Sequence, residues 1–358
     1  MKNHLLKPQA IRMNPVLESA AQMATSLVRN MAIKRYNPKQ RQREIRLLED
    51  SPSLFVTRCQ LYREKSAGNV PTIVVGGFVP DATETVEFQR AMLRKHGSIY
   101  YINYPRNGFS RSMFDAQLTD LIVDIRHKGQ KPMIMGISFG CGLLLDYMRT
   151  INEEIHQSIR GLILASPVIS NEDLIRSSVD KSDGIRILES NLRKISSADP
   201  DNEAHLQKHI ERARRCFHAL FNAGAENRSL SVRHLSIRRK IFDVIEHTSA
   251  RGGFERVIAM RNFLFPSQNN SLFAGPVLTL LAENEEDILV PSSPTLKLFR
   301  DFNQYSLVFP RCNVKTVRTT KPGDAVAHAS LIFHHDAYNS LIDDWYNRTL
   351  YPRLQLAV

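Results

Sequence analysis

Short, wholly apolar segments, each followed by a helical stretch, are the feature that most narrows what this chain can fold into. The segment 71–75 (Pro-Thr-Ile-Val-Val) ends in Gly76-Gly77, and a helical pattern follows over 83–95, stopped by Gly97. Residues 99–104 read as the next strand and 113–127 as the next helix, closed by Gly129. Residues 132–135 run into Gly136-Ile137-Ser138-Phe139-Gly140, a helix is expected over 141–149, and 161–165 is again apolar. Such strands must be covered on both faces, and parallel strands need crossover helices. The alternation therefore predicts a mostly parallel sheet flanked by helices. A further strand is expected ahead of these, over 53–62.

Residues 171–270 break the rhythm. They are helical in pattern, charged, and poor in strand candidates. Their clearest helix is expected to start with Asp199 as N-cap and Pro200 in its first turn, burying Leu206, Ile210, Phe217, Leu220 and Phe221. The α/β rhythm resumes with a strand at 276–281, a helix over 293–302, a strand at 314–319 and a last helix beyond His328. The expected division is a basic helical extension (1–52), a first half of an α/β core (53–170), an inserted helical cap (171–270) and a second half of the core (271–358).

Of the 358 residues, 42% are hydrophobic and 23% charged, as in an ordinary globular protein. No run approaches the roughly 18 apolar residues of a membrane span, and the N-terminus lacks the apolar stretch of a secretory signal. The four cysteines are widely spaced, without Cys-x-x-Cys pairs, which suggests neither a zinc site nor a disulfide framework. A reducing, cytoplasmic setting is expected, with no cofactor and no metal.

The net charge of +12 is uneven: residues 1–70 hold 13 Lys+Arg against 5 Asp+Glu, and the remainder 35 against 31. Residues 15–36 read as an amphipathic helix, with Leu17, Ala20, Ala21, Ala24, Leu27, Val28 and Met31 on one face. Residues 1–50 are a candidate for peripheral contact with an anionic membrane, although a solvated basic face is the commoner meaning of such a run. Nucleic acid is not an expected partner, because no recognised binding motif accompanies the charge. Residues 1–36 hold no candidate catalytic group, so hydrolysis of a small ester is expected to survive their deletion.

The strongest chemical signal is Gly136-Ile137-Ser138-Phe139-Gly140. A nucleophile elbow needs a serine at a sharp turn from strand to helix, with small residues two positions before and after it. Both flanking residues are glycine here, and the strand and helix stand where the motif requires. On this segment the chain resembles the α/β-hydrolase superfamily, over roughly 53–170 and 271–358.

That resemblance implies a nucleophile after the fifth strand, an acid after the seventh and a histidine after the eighth. Ser138, Asp287 and His328 fill those places. Asp287 stands in Glu283-Asn284-Glu285-Glu286-Asp287-Ile288-Leu289-Val290-Pro291, where Asp-x-x-Val-Pro looks like the family's acid loop. Glu283, Glu285, Glu286 and the earlier Asp173 compete with it; Asp287 is preferred for its distance from Pro291 and its short side chain. The backbone amides of Phe139 and Phe78 are the expected oxyanion donors, with Gly76 replacing the family's usual histidine. Together these imply a serine hydrolase acting on a carboxylic ester or thioester of an acyl chain through an acyl-serine intermediate. Carboxylesterase or lysophospholipase-like action is preferred. Acyl transfer and amide hydrolysis use the same triad, and a hydrolase-like binding protein without turnover is a further alternative.

Overall fold

The computed structural model describes residues 29, 31–176, 187–199, 201–226, 228–267, 271–321 and 323–350. Eight strands form one sheet: β1 (Ile33–Arg35), β2 (Gln60–Asn69), β3 (Thr72–Val75), β4 (Gly97–Asn103), β5 (Met133–Ile137), β6 (Gly161–Ala165), β7 (Val277–Ala282) and β8 (Cys312–Val317). Their spatial order is β1-β2-β4-β3-β5-β6-β7-β8. β1 and β2 are antiparallel additions at one edge, and every pairing from β4 to β8 is parallel. The mostly parallel sheet expected from the sequence is therefore present.

All residues of β3, β5, β6 and β7 are buried. Alternate side chains feed two cores: Ile73 and Val75 one, Val74 the other. That two-sided burial is why these strands are apolar throughout. Since all six run the same way, their C-terminal ends share one edge, where the loops of an open α/β sheet gather a site.

Differences from expectation cluster where residues are polar. Pro52–Thr57 is a 3₁₀ turn rather than strand, and β2 starts only at Gln60. β2 carries charge: Glu64 is buried, accepting from Arg90 Nε at 2.8 Å and Tyr101 Oη at 2.9 Å. The helix expected over 15–36 lies largely outside the described residues, but Ile33–Arg35 is strand, paired with Tyr62, Arg63 and Glu64 of β2. The helix expected over 83–95 is two pieces, Ala82–Thr85 and Arg90–His96.

Among the described residues, four α-helices stand between β6 and β7: Ile187–Ser196, Glu203–Ala225, Val232–His247 and Ala250–Arg261. The second is capped by Asn202, whose side chain accepts from His205 N at 3.1 Å, and not by Asp199. Asp199 instead accepts from Asp201 N at 3.0 Å, closing a preceding turn. Leu206 and Ile210 are buried as expected, whereas Leu220 is 40% exposed.

Arg228 ties this insertion to the loop after β8. Its guanidinium donates to Gly224 O at 2.9 Å and His334 Nε2 at 2.8 Å, and pairs with Asp324. Desolvation first, and the Arg228 charge second, hold the His334 imidazole below the ordinary histidine range. A depressed folded value means the fold prefers the neutral ring. That contribution is complete above the unfolded value of about 6.5 and is lost as pH falls through the folded one. The melting temperature should fall between about pH 7.5 and about pH 5, and His334→Gln, which can still accept from Arg228, should remove part of that fall. Differential scanning fluorimetry across pH checks this; an identical slope in both proteins would assign the acid sensitivity elsewhere.

Among the described residues, no helix is long and apolar enough to cross a membrane, and no group of three His, Cys, Asp or Glu could hold a metal ion.

Candidate active site

Ser138 sits between β5 and the helix Phe139–Thr150 with φ 51° and ψ −117°. That is a left-handed conformation an L-residue adopts only at a cost, and such strain is typical of functional turns. Close packing explains the flanking glycines. A Cβ on Gly140 would lie 2.4 Å from Gly76 O and 2.6 Å from Val75 O, so this residue meets β3 rather than its partner glycine. A Cβ on Gly136 would lie 3.0 Å from Cys141 Cα and 3.1 Å from Gly140 O, the crowding expected across the turn. Cys141 packs in the core, and burial raises its thiol well above the usual range.

His328 places Nε2 2.9 Å from Ser138 Oγ. The next residue, Ala329, has φ 52° and donates its N–H to Ser166 Oγ at 2.9 Å. Ser166, just past β6 and itself at φ 45°, thereby holds the histidine loop against the sheet. It carries no sequence motif.

The carboxylate on the other ring nitrogen belongs to Glu285, not Asp287. Glu285 Oε2 is hydrogen-bonded to His328 Nδ1, and Oε1 accepts from Ala282 N at 2.6 Å. Register decides between the acids. Asn284 and Ala327 form an isolated parallel bridge beyond the ends of β7 and β8, out of register with their pairing, with Asn284 N donating to Val326 O at 2.9 Å. The following residues, Glu285 and His328, are therefore neighbours. Glu285–Asp287 is a single 3₁₀ turn that aims Glu285 inward, 1% exposed, and leaves Asp287 on the surface. Glu283 is exposed, and Glu286 pairs with Arg300 at 3.0 Å. Asp173 is buried but occupied: it accepts from Ile169 N and Ser170 N, both at 2.9 Å, from Thr295 N at 3.0 Å and from Ser293 Oγ at 2.6 Å.

Phe139 N–H lies in the first turn of its helix, where no preceding carbonyl is available to it. The Gly76-Gly77-Phe78 loop is held at both ends: Tyr104 Oη donates to Gly76 O at 2.8 Å, and Arg256 Nη1 donates to Phe78 O at 2.9 Å. The Phe78 ring meets Phe139 edge-on at 5.3 Å and stacks on Phe217 of the insertion at 5.8 Å.

Above Ser138 and His328 is a cavity of about 230 Å³. The inserted helices supply Leu192, Phe217, Phe221, Ile241 and Met260 to its wall, and the core supplies Phe78 and Phe333. Phe217, Leu220 and Phe221 escape full burial because this is the face they line. No Lys, Arg, Asp or Glu is among the described residues around it.

The sheet order, the elbow after β5 and the histidine after β8 define the α/β-hydrolase fold. Solved structures share it. A thermophilic esterase from Thermogutta terrifontis is 16% identical with a TM-score of 0.53, covering 81% of this chain and 94% of that one. An esterase from Exiguobacterium antarcticum is 11% identical with a TM-score of 0.53, covering 80% and 95%. A meta-cleavage product hydrolase from Pseudomonas fluorescens is 16% identical with a TM-score of 0.52, covering 81% and 95%. No protein-family model and no curated protein matches the chain. At these identities the likeness concerns the fold.

Proposed function

We propose that this protein is a serine hydrolase that cleaves a carboxylic ester or thioester of an uncharged, apolar acyl chain. The observation that carries the reading is the continuous line from Glu285 through His328 to Ser138, opening into an apolar cavity. With its Nδ1–H directed at Glu285, the imidazole presents a free Nε2 lone pair to the Ser138 hydroxyl. As Oγ attacks the carbonyl carbon, the proton passes to Nε2 and the carbonyl electrons move onto oxygen. Glu285 stabilises the imidazolium. The amides of Phe78 and Phe139 are the donors for the oxyanion, whose collapse expels the leaving group with the proton from Nε2. Water then releases the acid by the same steps.

The cavity refines the substrate class. Its apolar lining and volume of about 230 Å³ suit an apolar acyl chain. The absence of cations among its described lining residues disfavours a phosphate-bearing lysophospholipid, since a charge entering there would be desolvated without a partner. That two of the structural neighbours are esterases agrees with ester chemistry.

A fluorophosphonate should form an adduct that peptide mass spectrometry maps to Ser138. In a series of neutral p-nitrophenyl esters, kcat/KM should rise from the acetyl ester to longer apolar acyl chains, and lysophosphatidylcholine should be cleaved far more slowly. No adduct together with no turnover across the series would sink the proposal; equal rates on the lysophospholipid would sink the substrate class.

A further inference from the structure

Arg256 is 2% exposed, in the helix Ala250–Arg261 of the insertion, yet it forms no ion pair among the described residues. Nη1 donates to Phe78 O at 2.9 Å and Nη2 to Pro105 O at 2.7 Å. The guanidinium lies over the Tyr104 ring, 5.3 Å from its centroid, and its Nε is buried without a partner. Desolvation, and then the neighbouring Arg106 charge, push its pKa down to about 10, so it is still a cation near neutral pH. Asp81, the nearby carboxylate, is engaged by Arg106 Nη1 at 2.9 Å. A cation buried without a carboxylate is costly, and stability alone gives no reason to keep one.

Its place in the loop supplies a reason. The amide of Phe78 belongs to the peptide unit between Gly77 and Phe78. The unit before it is held through Gly76 O by Tyr104, and the unit after it through Phe78 O by Arg256. With both neighbouring planes fixed, the middle plane has little freedom, and its N–H is pointed before substrate arrives. We infer that Arg256 is a positioning residue that, with Tyr104, preorganises the Phe78 amide as an oxyanion donor and couples the seating of the inserted helices to that donor. This rests on the hydrolase reading above.

Removing an oxyanion donor costs roughly 10²–10³ in turnover, and leaving one present but unaligned costs part of that. Arg256→Met should therefore lower kcat by roughly 10–100-fold with KM little changed. Arg256→Lys, which keeps the charge but cannot span both carbonyls, should fall between it and the wild type. Tyr104→Phe, a gentler change, should show the same signature more weakly.

The decisive comparison uses two inhibitors with one medium alkyl chain. A trifluoromethyl ketone adds Ser138 Oγ to its carbonyl, sends the proton to His328 and creates an oxyanion. The matching methyl ketone occupies the cavity without adding. Arg256→Met should lose trifluoromethyl-ketone affinity in proportion to kcat and bind the methyl ketone as the wild type does. If both affinities fall together, Arg256 only supports the cavity; if neither falls, it does not position the donor. Either result overturns the inference. Should Arg256→Met not fold, Arg256→Lys and Tyr104→Phe carry the same comparison. A wild type that binds the trifluoromethyl ketone no better than the methyl ketone overturns the hydrolase reading as well, which separates the two failures.

Discussion

Glu285→Gln is expected to lower turnover of a medium-chain ester by roughly 10⁴, the loss typical when a serine triad's carboxylate becomes an amide. Glu285 makes two hydrogen bonds, accepting from Ala282 N at 2.6 Å and holding His328 Nδ1. The amide oxygen of glutamine can keep the first bond. Its NH₂ then faces Nδ1 and favours the tautomer protonated on Nε2, which cannot take the proton of Ser138. Burial should make the change tolerable to the fold, because it removes a charge from a site 1% exposed. Asp287→Asn should alter turnover by less than about tenfold, since only a surface charge screened by solvent is lost. Glu285→Asp, one methylene shorter, should fall between these extremes. Steady-state kinetics on one ester across the three variants decides the matter. A near-normal Glu285→Gln beside a dead Asp287→Asn would return the acid to the position expected from the sequence.

That exchange of acids shows what the sequence could and could not carry. Counting back from Pro291 selects Asp287, a chemically suitable residue in the right loop. The deciding fact is the Asn284–Ala327 bridge, a pairing between segments more than forty residues apart that no local pattern records. Ser138 and His328 are placed by chain order after β5 and β8, and the fold brings the two side chains together at 2.9 Å. The parallel strands were legible for a different reason: burial on both faces demands unbroken apolar runs. β1 and β2 escaped because both carry charged residues; Glu64, flanked by β1 and β4, is neutralised by Arg90 from a helix that sequence alone does not bring alongside. Ser166, Tyr104 and Arg256 act through backbone atoms of distant loops, so their residue types announced nothing.

Hydrolysis of a small ester is expected from the sequence to survive deletion of residues 1–36, and Arg29 argues otherwise. Its guanidinium donates to Glu87 Oε2 at 2.8 Å, Glu84 Oε1 at 2.6 Å and Thr83 O at 2.7 Å, and it is 6% exposed. Glu87 has other cations in Arg90 and Arg233, at 3.0 and 2.8 Å. Glu84 has no second ion pair among the described contacts; its remaining side-chain partner is the Thr83 hydroxyl at 2.8 Å. Breaking a buried pair by removing one member typically costs about 3–5 kcal/mol, because the other charge stays buried. At about 2.1 cal/mol/K per residue, a chain of 358 residues shifts by roughly 1.3 °C per kcal/mol, so Arg29→Met should lower the melting temperature by about 4–7 °C. The deficit should depend on pH. Burial already raises Glu84 above the ordinary carboxylate value of 4.5, and losing Arg29 raises it further. The folded wild type ionises Glu84 through its own raised value while the folded mutant still resists, so the deficit should grow as pH rises from that value towards the mutant's and be smallest below both. Glu84→Gln in the Arg29→Met background removes the stranded charge and should recover much of the loss. Because Glu84 lies in the short helix just after the Gly76–Phe78 loop, deletion of residues 1–36 should cost activity along with stability. Thermal melts of the single and double variants at two pH values test the argument. A truncated protein as stable as the full chain would show that this ion cluster contributes nothing.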